Sequence, residues 1–263
     1  MIKLEIKQQV AWVSLVRPEK QNALSFAMFV ELSNVIKKIK RDRNLRAVVI
    51  SGEGGHFCSG LDVAAVMKKP SNIVKLLFKW LPGNQNLAQK VVLGWQDLSI
   101  PVIAKINGHC FGGGMQIALG ADYRIVDKNA KLAIMEARWG LCPDMGANVV
   151  LAGLMKRDQA LWLASHAGPI SAEDAKEYGL VTQLTDDIDK QTDAVLETLM
   201  ARSPDTLAAI KRITQQSYRS QQRKILAKET WSQIRLLMNP NTKKAIAKAK
   251  GAEDIKFNNA KSW

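Results

Sequence analysis

A chain of 263 residues, 47% of them apolar, can bury one large core, or a core with a small extension. No apolar run approaches the ~20 residues of a membrane helix, and the opening "MIKLEIKQQV" alternates like a strand without a signal-peptide apolar run, so a soluble, cytoplasmic protein with no membrane partner is expected. Net charge is +14, and 14 Lys/Arg against 4 Asp/Glu from Ala201 onward place +10 of it in the last 63 residues: either solvated helix faces or a site for a polyanion.

The strand-like segments "IKLEI" and "VAWVSLV" alternate or run apolar. "SFAMFVELSNVIKKIK" spaces Phe26, Phe29, Leu32, Val35, Ile36 and Ile39 along one helix face, with Ser25 as N-cap. "LRAVVISG" is a short, continuous apolar run, as for a strand buried on both faces. "IPVIAKINGHCFGGG" repeats that logic and leads into the helix "MQIALG"; "ADYRIV" and "KLAIME" read as further strands. From about Asp144 the signals turn helical, and "EDAKEYGL" is a short helix stopped at Gly179. Longer helices follow Ile188, broken near Pro204 and at Asn239 to Asn241. Strands alternating with helices, then helices alone, give an α/β protein with a helical C-terminal part.

No recognition helix, zinc finger or aromatic RNA-binding strand is evident, so no nucleic-acid partner is expected. Cys58, Cys110 and Cys142 are odd in number and far apart, so neither a disulfide framework nor a metal site is expected. Two glycine segments attract attention instead. "HFCSGLDV" and "CFGGGMQ" each follow a strand and sit at or near a helix start, where backbone amides are unpaired donors in a favourable dipole. Two such amides converging make an oxyanion hole. Tight turns alone also account for the glycines. A phosphate loop does not fit, because neither G-K-[ST] nor G-x-G-x-x-G is present.

"SGLDV", "PVIAKINGHCFGGGMQIALGADYRI" and "KLAIMEARWGLCPDMG", in this order, with "RPEKQNAL" before them and "AEDAKEYGLVTQL" after, resemble the crotonase (enoyl-CoA hydratase/isomerase) superfamily over roughly residues 2 to 200. The resemblance implies a spiral core of ββα units over 1–200, a helical part over 201–263, and homotrimers or homohexamers. It implies an acyl-CoA thioester substrate, with CoA part of that substrate and no separate cofactor. The backbone N–H groups of Leu61 and Gly113 become the oxyanion donors. Leu61, Asp62, Val63, Ala64, Gly113 and Gln116 become substrate-binding residues, and the basic C-terminal helices become partners for the CoA phosphates.

The hydratases of this superfamily flank a water with two glutamates, and the matching positions here are Gln116 and Glu136. Gln116 has no proton to exchange, so half of that pair is missing. Glu136, at the close of "KLAIME", remains as base. Asp144, eight residues on, reads locally as the N-cap of "MGANVVLAGLM". The superfamily's dienoyl-CoA isomerases carry a Glu…Asp pair at that spacing, and the resemblance to them implies Asp144 as the catalytic partner of Glu136. Double-bond isomerisation is therefore favoured; the alternatives are 2-enoyl-CoA hydration and a non-catalytic acyl-CoA-binding protein. Asp62 reads as a cap or turn residue, His56 and His109 as structural, Cys58 and Cys110 as packing residues. Arg138 and Trp139 are candidates for shaping an acyl pocket.

Overall fold

The computed structural model describes residues 1–218 and 222–258. The C-terminal part expected over 201–263 therefore includes 219–221 and 259–263, which lie outside the described residues. Among the described residues the strands are β1 (Ile2–Lys7), β2 (Val10–Leu15), β3 (Ala47–Gly52), β4 (Val102–Ile106), β5 (His109–Phe111), β6 (Tyr123–Asp127), β7 (Lys131–Ala133), β8 (Ile170–Ser171) and β9 (Gln183–Thr185).

One sheet has the order β1-β2-β3-β4-β6-β9; β1 lies antiparallel on its edge and the rest is parallel. Parallel strands are covered on both faces, which explains their unbroken apolar runs. In β3 the alternation is visible in the packing. Val48 and Ile50 enter the main core with Phe29, Leu32 and Ile36 of the Phe26–Arg41 helix. Ala47 and Val49 face a second cluster closed by Leu196 of the Ile188–Met200 helix.

A second sheet, β5-β7-β8, is continued by single-residue bridges between Cys58 and Cys110 and between Leu24 and Leu61. Each turn of chain thus leaves the long sheet, touches the short one and enters a helix. β3 leads through Cys58 and Leu61 into the helix Val63–Met67, and β4 leads through β5 into the helix Gly113–Leu119. This is the expected spiral of ββα units.

Ser25 caps the Phe26–Arg41 helix as expected, its Oγ accepting from the Met28 N–H at 3.4 Å. Two expectations need correction. β7 stops at Ala133, so Glu136 opens a 3-10 turn, Glu136–Trp139, instead of closing a strand. The reason is pairing: β5 ends at Phe111, which lies opposite Ala133, and the Gly112 N–H takes the Ala133 carbonyl at 2.8 Å. Asp144 does not cap the helix Ala147–Leu154. That position belongs to Gly146, at φ 95°, a left-handed conformation that an aspartate adopts only at a cost.

The C-terminal helices are Ile188–Met200, Pro204–Tyr218, Gln222–Leu237 and Pro240–Ala249. Among the described residues no helix is long and apolar enough to cross a membrane.

Candidate active site

The two glycine segments run side by side. The Cys58 N–H donates to the His109 carbonyl and the Phe111 N–H to the Cys58 carbonyl, both at 2.9 Å. Gly112, at φ 49°, turns the chain from β5 into the helix Gly113–Leu119. The neighbouring amides of Gly112 and Asp62 are satisfied by the carbonyls of Ala133 and Leu24. Among the described residues, the amides of Leu61 and Gly113 have no acceptor. Gly113 is the first helical residue, so its N–H has no partner within the helix. A β-carbon on Gly113 would lie 3.9 Å from the Leu61 nitrogen. The Leu61 amide therefore lies beside the start of the helix that Gly113 opens.

Glu136 lies against the same turn: a β-carbon on Gly112 would be 3.6 Å from its Oε1. Gln116, fully buried at 0% exposure, ties this carboxylate down. Its Nε2 donates to Glu136 Oε1 at 2.7 Å, and its Oε1 accepts from the Met145 N–H at 3.0 Å. The Met145 N–H requires an oxygen opposite it, and that requirement fixes the orientation of the amide. Glu136 Oε2 is buried and has no hydrogen-bond partner. Burial pushes the Glu136 carboxyl above the usual range, opposed only in part by its own backbone N–H, by Gln116 and by the Met135 backbone.

Asp144 joins this group from the loop that follows. Burial, then the charges of Glu229 and Glu136, push it up to about 8. Sequence reasoning missed Glu229. It is buried on the helix Gln222–Leu237, accepts from the Gly146 N–H and from the Asn148 side chain, each at 3.0 Å, and is pushed up to about 7 by burial. Its only local signal is helical spacing from the buried Leu226, in a segment whose basic residues make a glutamate look like an exposed charge. Lys79 was missed too. Its Nζ reaches the Leu226 carbonyl at 3.0 Å, and its charge opposes the rise in Asp144.

The remaining candidates divide cleanly. Asp62 caps the helix Val63–Met67 through the Ala65 N–H at 2.9 Å and pairs with Arg17 at 2.9 Å, so its carboxylate is occupied by the scaffold. Val63 and Ala64 open that helix, and Leu61 is exposed beside it. His56 and His109 stack with ring centroids 4.3 Å apart, and the His56 ring accepts from the His109 N–H at 3.1 Å. Cys58 and Cys110 are fully buried, their thiols raised by burial. Arg138 is exposed and Trp139 half-buried in the turn after Glu136.

Converging amides can hold a developing oxyanion, and a buried carboxylate beside them can take a proton from the adjacent carbon. An enzyme of acid–base chemistry on a carbonyl compound is the class that such an arrangement serves. The chain belongs to the enoyl-CoA hydratase/isomerase family, whose sequence model matches residues 5–257. It is similar to 1,2-epoxyphenylacetyl-CoA isomerase of Escherichia coli, 30% identical over 69% of this chain and 68% of that protein. It is similar to enoyl-CoA hydratase EchA19 of Mycobacterium tuberculosis, 30% identical over 76% of this chain and 74% of that protein. It also resembles the mitochondrial Delta(3,5)-Delta(2,4)-dienoyl-CoA isomerase of Mus musculus, 33% identical over 72% of this chain and 59% of that protein. The fold matches that of an enoyl-CoA hydratase from Mycobacterium avium subsp. paratuberculosis with a TM-score of 0.83 at 24% identity, over 95% of this chain and 98% of that one.

Proposed function

We propose that this enzyme moves double bonds along unsaturated acyl-CoA thioesters, with 3,5-dienoyl chains as its preferred substrates. The observation that carries the reading is the orphaned Oε2 of Glu136, on a carboxylate that lies against the Gly112 turn, while Gln116 is consumed in holding Glu136 and Met145. A fully buried glutamine with both ends engaged is poorly placed to orient a water, which disfavours hydration.

The proposed steps balance without a water. The thioester oxygen accepts from the Leu61 and Gly113 N–H groups. Glu136 Oε2 takes the C2 proton, and the electron pair spreads into the enolate and along the conjugated chain. Asp144, protonated, returns a proton at the far end of the chain. Glu136 is left protonated and Asp144 ionised, and exchange with solvent resets both. Each well-placed oxyanion donor contributes about 3 kcal/mol to such a step.

The test is a panel of 2-enoyl-, 3-enoyl- and 3,5-dienoyl-CoA substrates, with products followed by mass and ultraviolet spectrum. The expected product of the dienoyl substrate has unchanged mass and shifted absorbance. A product heavier by one water as the dominant outcome would overturn the reading.

Asp144→Asn should cut dienoyl conversion by ~100- to 10,000-fold while sparing the short C2-to-C4 shift, which one carboxylate can perform. The pH profile carries a second signature. Glu136 must be ionised, so activity rises as pH climbs through its raised value. Asp144 must be protonated, so activity falls as pH climbs through about 8. The Asn variant should lose that alkaline limb on any activity it keeps.

Gln116→Glu is expected to change the reaction. It sets a second carboxyl at the 2.7 Å contact with Glu136, where both cannot be ionised at neutral pH. One acid and one base then face the same pocket, as water addition requires. Hydration of 2-enoyl-CoA should rise above the parent enzyme's level, followed as loss of enoyl absorbance.

A further inference from the structure

The helix Gln222–Leu237 buries Leu226, Glu229, Thr230 and Gln233, a stripe at helical spacing that is mostly polar. This stripe grips the segment Cys142–Asn148, which carries Asp144. Glu229 Oε2 accepts from the Gly146 N–H at 3.0 Å, two residues after Asp144, and from Gln89 Nε2 at 3.2 Å. Asn148 Nδ2 donates both to Glu229 Oε1 and to the Pro143 carbonyl, each at 3.0 Å, which ties down the residue before Asp144. One helical turn on, Gln233 Oε1 accepts from the Cys142 N–H at 3.2 Å and from its thiol at 3.4 Å. The loop is thus clasped on both sides of Asp144.

We propose that Glu229 is a positioning residue for Asp144: its carboxylate, accepting from three N–H donors, fixes the loop and, once ionised, sets a negative charge near the Asp144 carboxyl, so that Asp144 keeps its proton until the chain of the substrate takes it. The inference deepens the isomerase reading and rests on it for what Asp144 does.

The division of labour follows from the donors. The three N–H bonds favour the charged form of Glu229 and offset part of the rise that burial imposes, which leaves it at about 7, below Asp144 at about 8. Among the described residues Asp144's carboxyl makes no hydrogen bond to another residue, so it is the member of the pair that retains the proton. The groups around it are few. Glu136 faces it from the 3-10 turn and Glu229 from the C-terminal helix, both raising it, while Lys79 lowers it. Cys142, beside them, is a neutral thiol, pushed up to about 12 by burial and by these same carboxyls.

The experiment is a carboxyl-carbon NMR titration of the full-length enzyme, with the Asp144 signal assigned by its loss in Asp144→Asn. In Glu229→Gln the Asp144 midpoint should fall on the order of one pH unit, the scale of one neighbouring charge, and the alkaline limb of the dienoyl pH–rate profile should move down with it. In Glu229→Asp the charge is kept but withdrawn by one methylene. Turnover should drop there as the loop shifts, with a smaller fall in the midpoint. Should Glu229→Gln not fold, Asn148→Ala tests the same link. It removes one donor from Glu229 and the tether to Pro143, weakening the Glu229 charge, and the Asp144 midpoint falls again by a lesser amount. An Asp144 midpoint that stays where the parent enzyme has it overturns the proposal, whatever happens to the rate. A midpoint that falls while the rate profile stays put supports the electrostatic link and overturns Asp144 as the acid of the reaction instead.

Discussion

Glu136→Gln should reduce turnover by ~100- to 10,000-fold on every substrate of the enoyl and dienoyl panel. The substitution removes the base and keeps the shape of the side chain. Acyl-CoA affinity should therefore hold within a few-fold, since the Leu61 and Gly113 amides, which lie in the main chain, are untouched. The contact with Gln116 also survives, because the amide oxygen of the new side chain can still accept from Gln116 Nε2, now 2.7 Å from the carboxylate. Steady-state rates and calorimetric binding of a saturated acyl-CoA separate the two quantities. Parent-like rates on the whole panel would remove Glu136 as the proton acceptor and move the acyl-CoA-binding reading ahead.

Gly114→Ala should disable the site without touching any acid or base. A β-carbon at Gly114 would meet the Cys58 β-carbon at 2.5 Å, its sulfur at 2.8 Å and its carbonyl oxygen at 2.9 Å. Nothing there is the free end of a flexible side chain, so the segment Cys58–Leu61 must move away from the helix start. The overpacking costs ~1–3 kcal/mol of stability. The larger loss is geometric. Leu61 rides on the displaced segment, so its amide parts from that of Gly113, and losing one oxyanion donor typically lowers kcat by ~100- to 1,000-fold. Adding Cys58→Gly removes two of the three contacts and should recover part of both losses. A kcat in Gly114→Ala equal to the parent's would mean that the two amides do not act together.

What the sequence alone discloses depends on how local the cause is. The parallel strands are legible because burial on both faces writes a continuous apolar run, as in β3 and β4. The order of the two glycine segments and Glu136 is legible through the resemblance. "KLAIME" misleads, because its apolar run continues past Ala133 while its pairing partner ends at Phe111. Asp144 is ambiguous because an aspartate just before a helix has the same local pattern whether it caps or reacts. The cap is decided by Gly146, which takes that position, and by Glu229, which accepts from the Gly146 N–H from 83 residues away. No pattern within a window of 18 or so residues contains such a partner.

The setting of Cys142 has a consequence for the enzyme's own durability. A conjugated acyl thioester is an electrophile, and ionised sulfur adds to it at the β-carbon. Cys142 stands two residues from Asp144, where its thiol donates to Gln233 Oε1. Burial and the surrounding carboxyls hold its proton up to about 12, far from the range in which cysteines become nucleophiles. The negative charges that raise Asp144 thus also hold the neighbouring Cys142 thiol inert. On the proposed reaction, an enzyme that spends its working life among alkylating molecules is thereby spared from being modified by its own product.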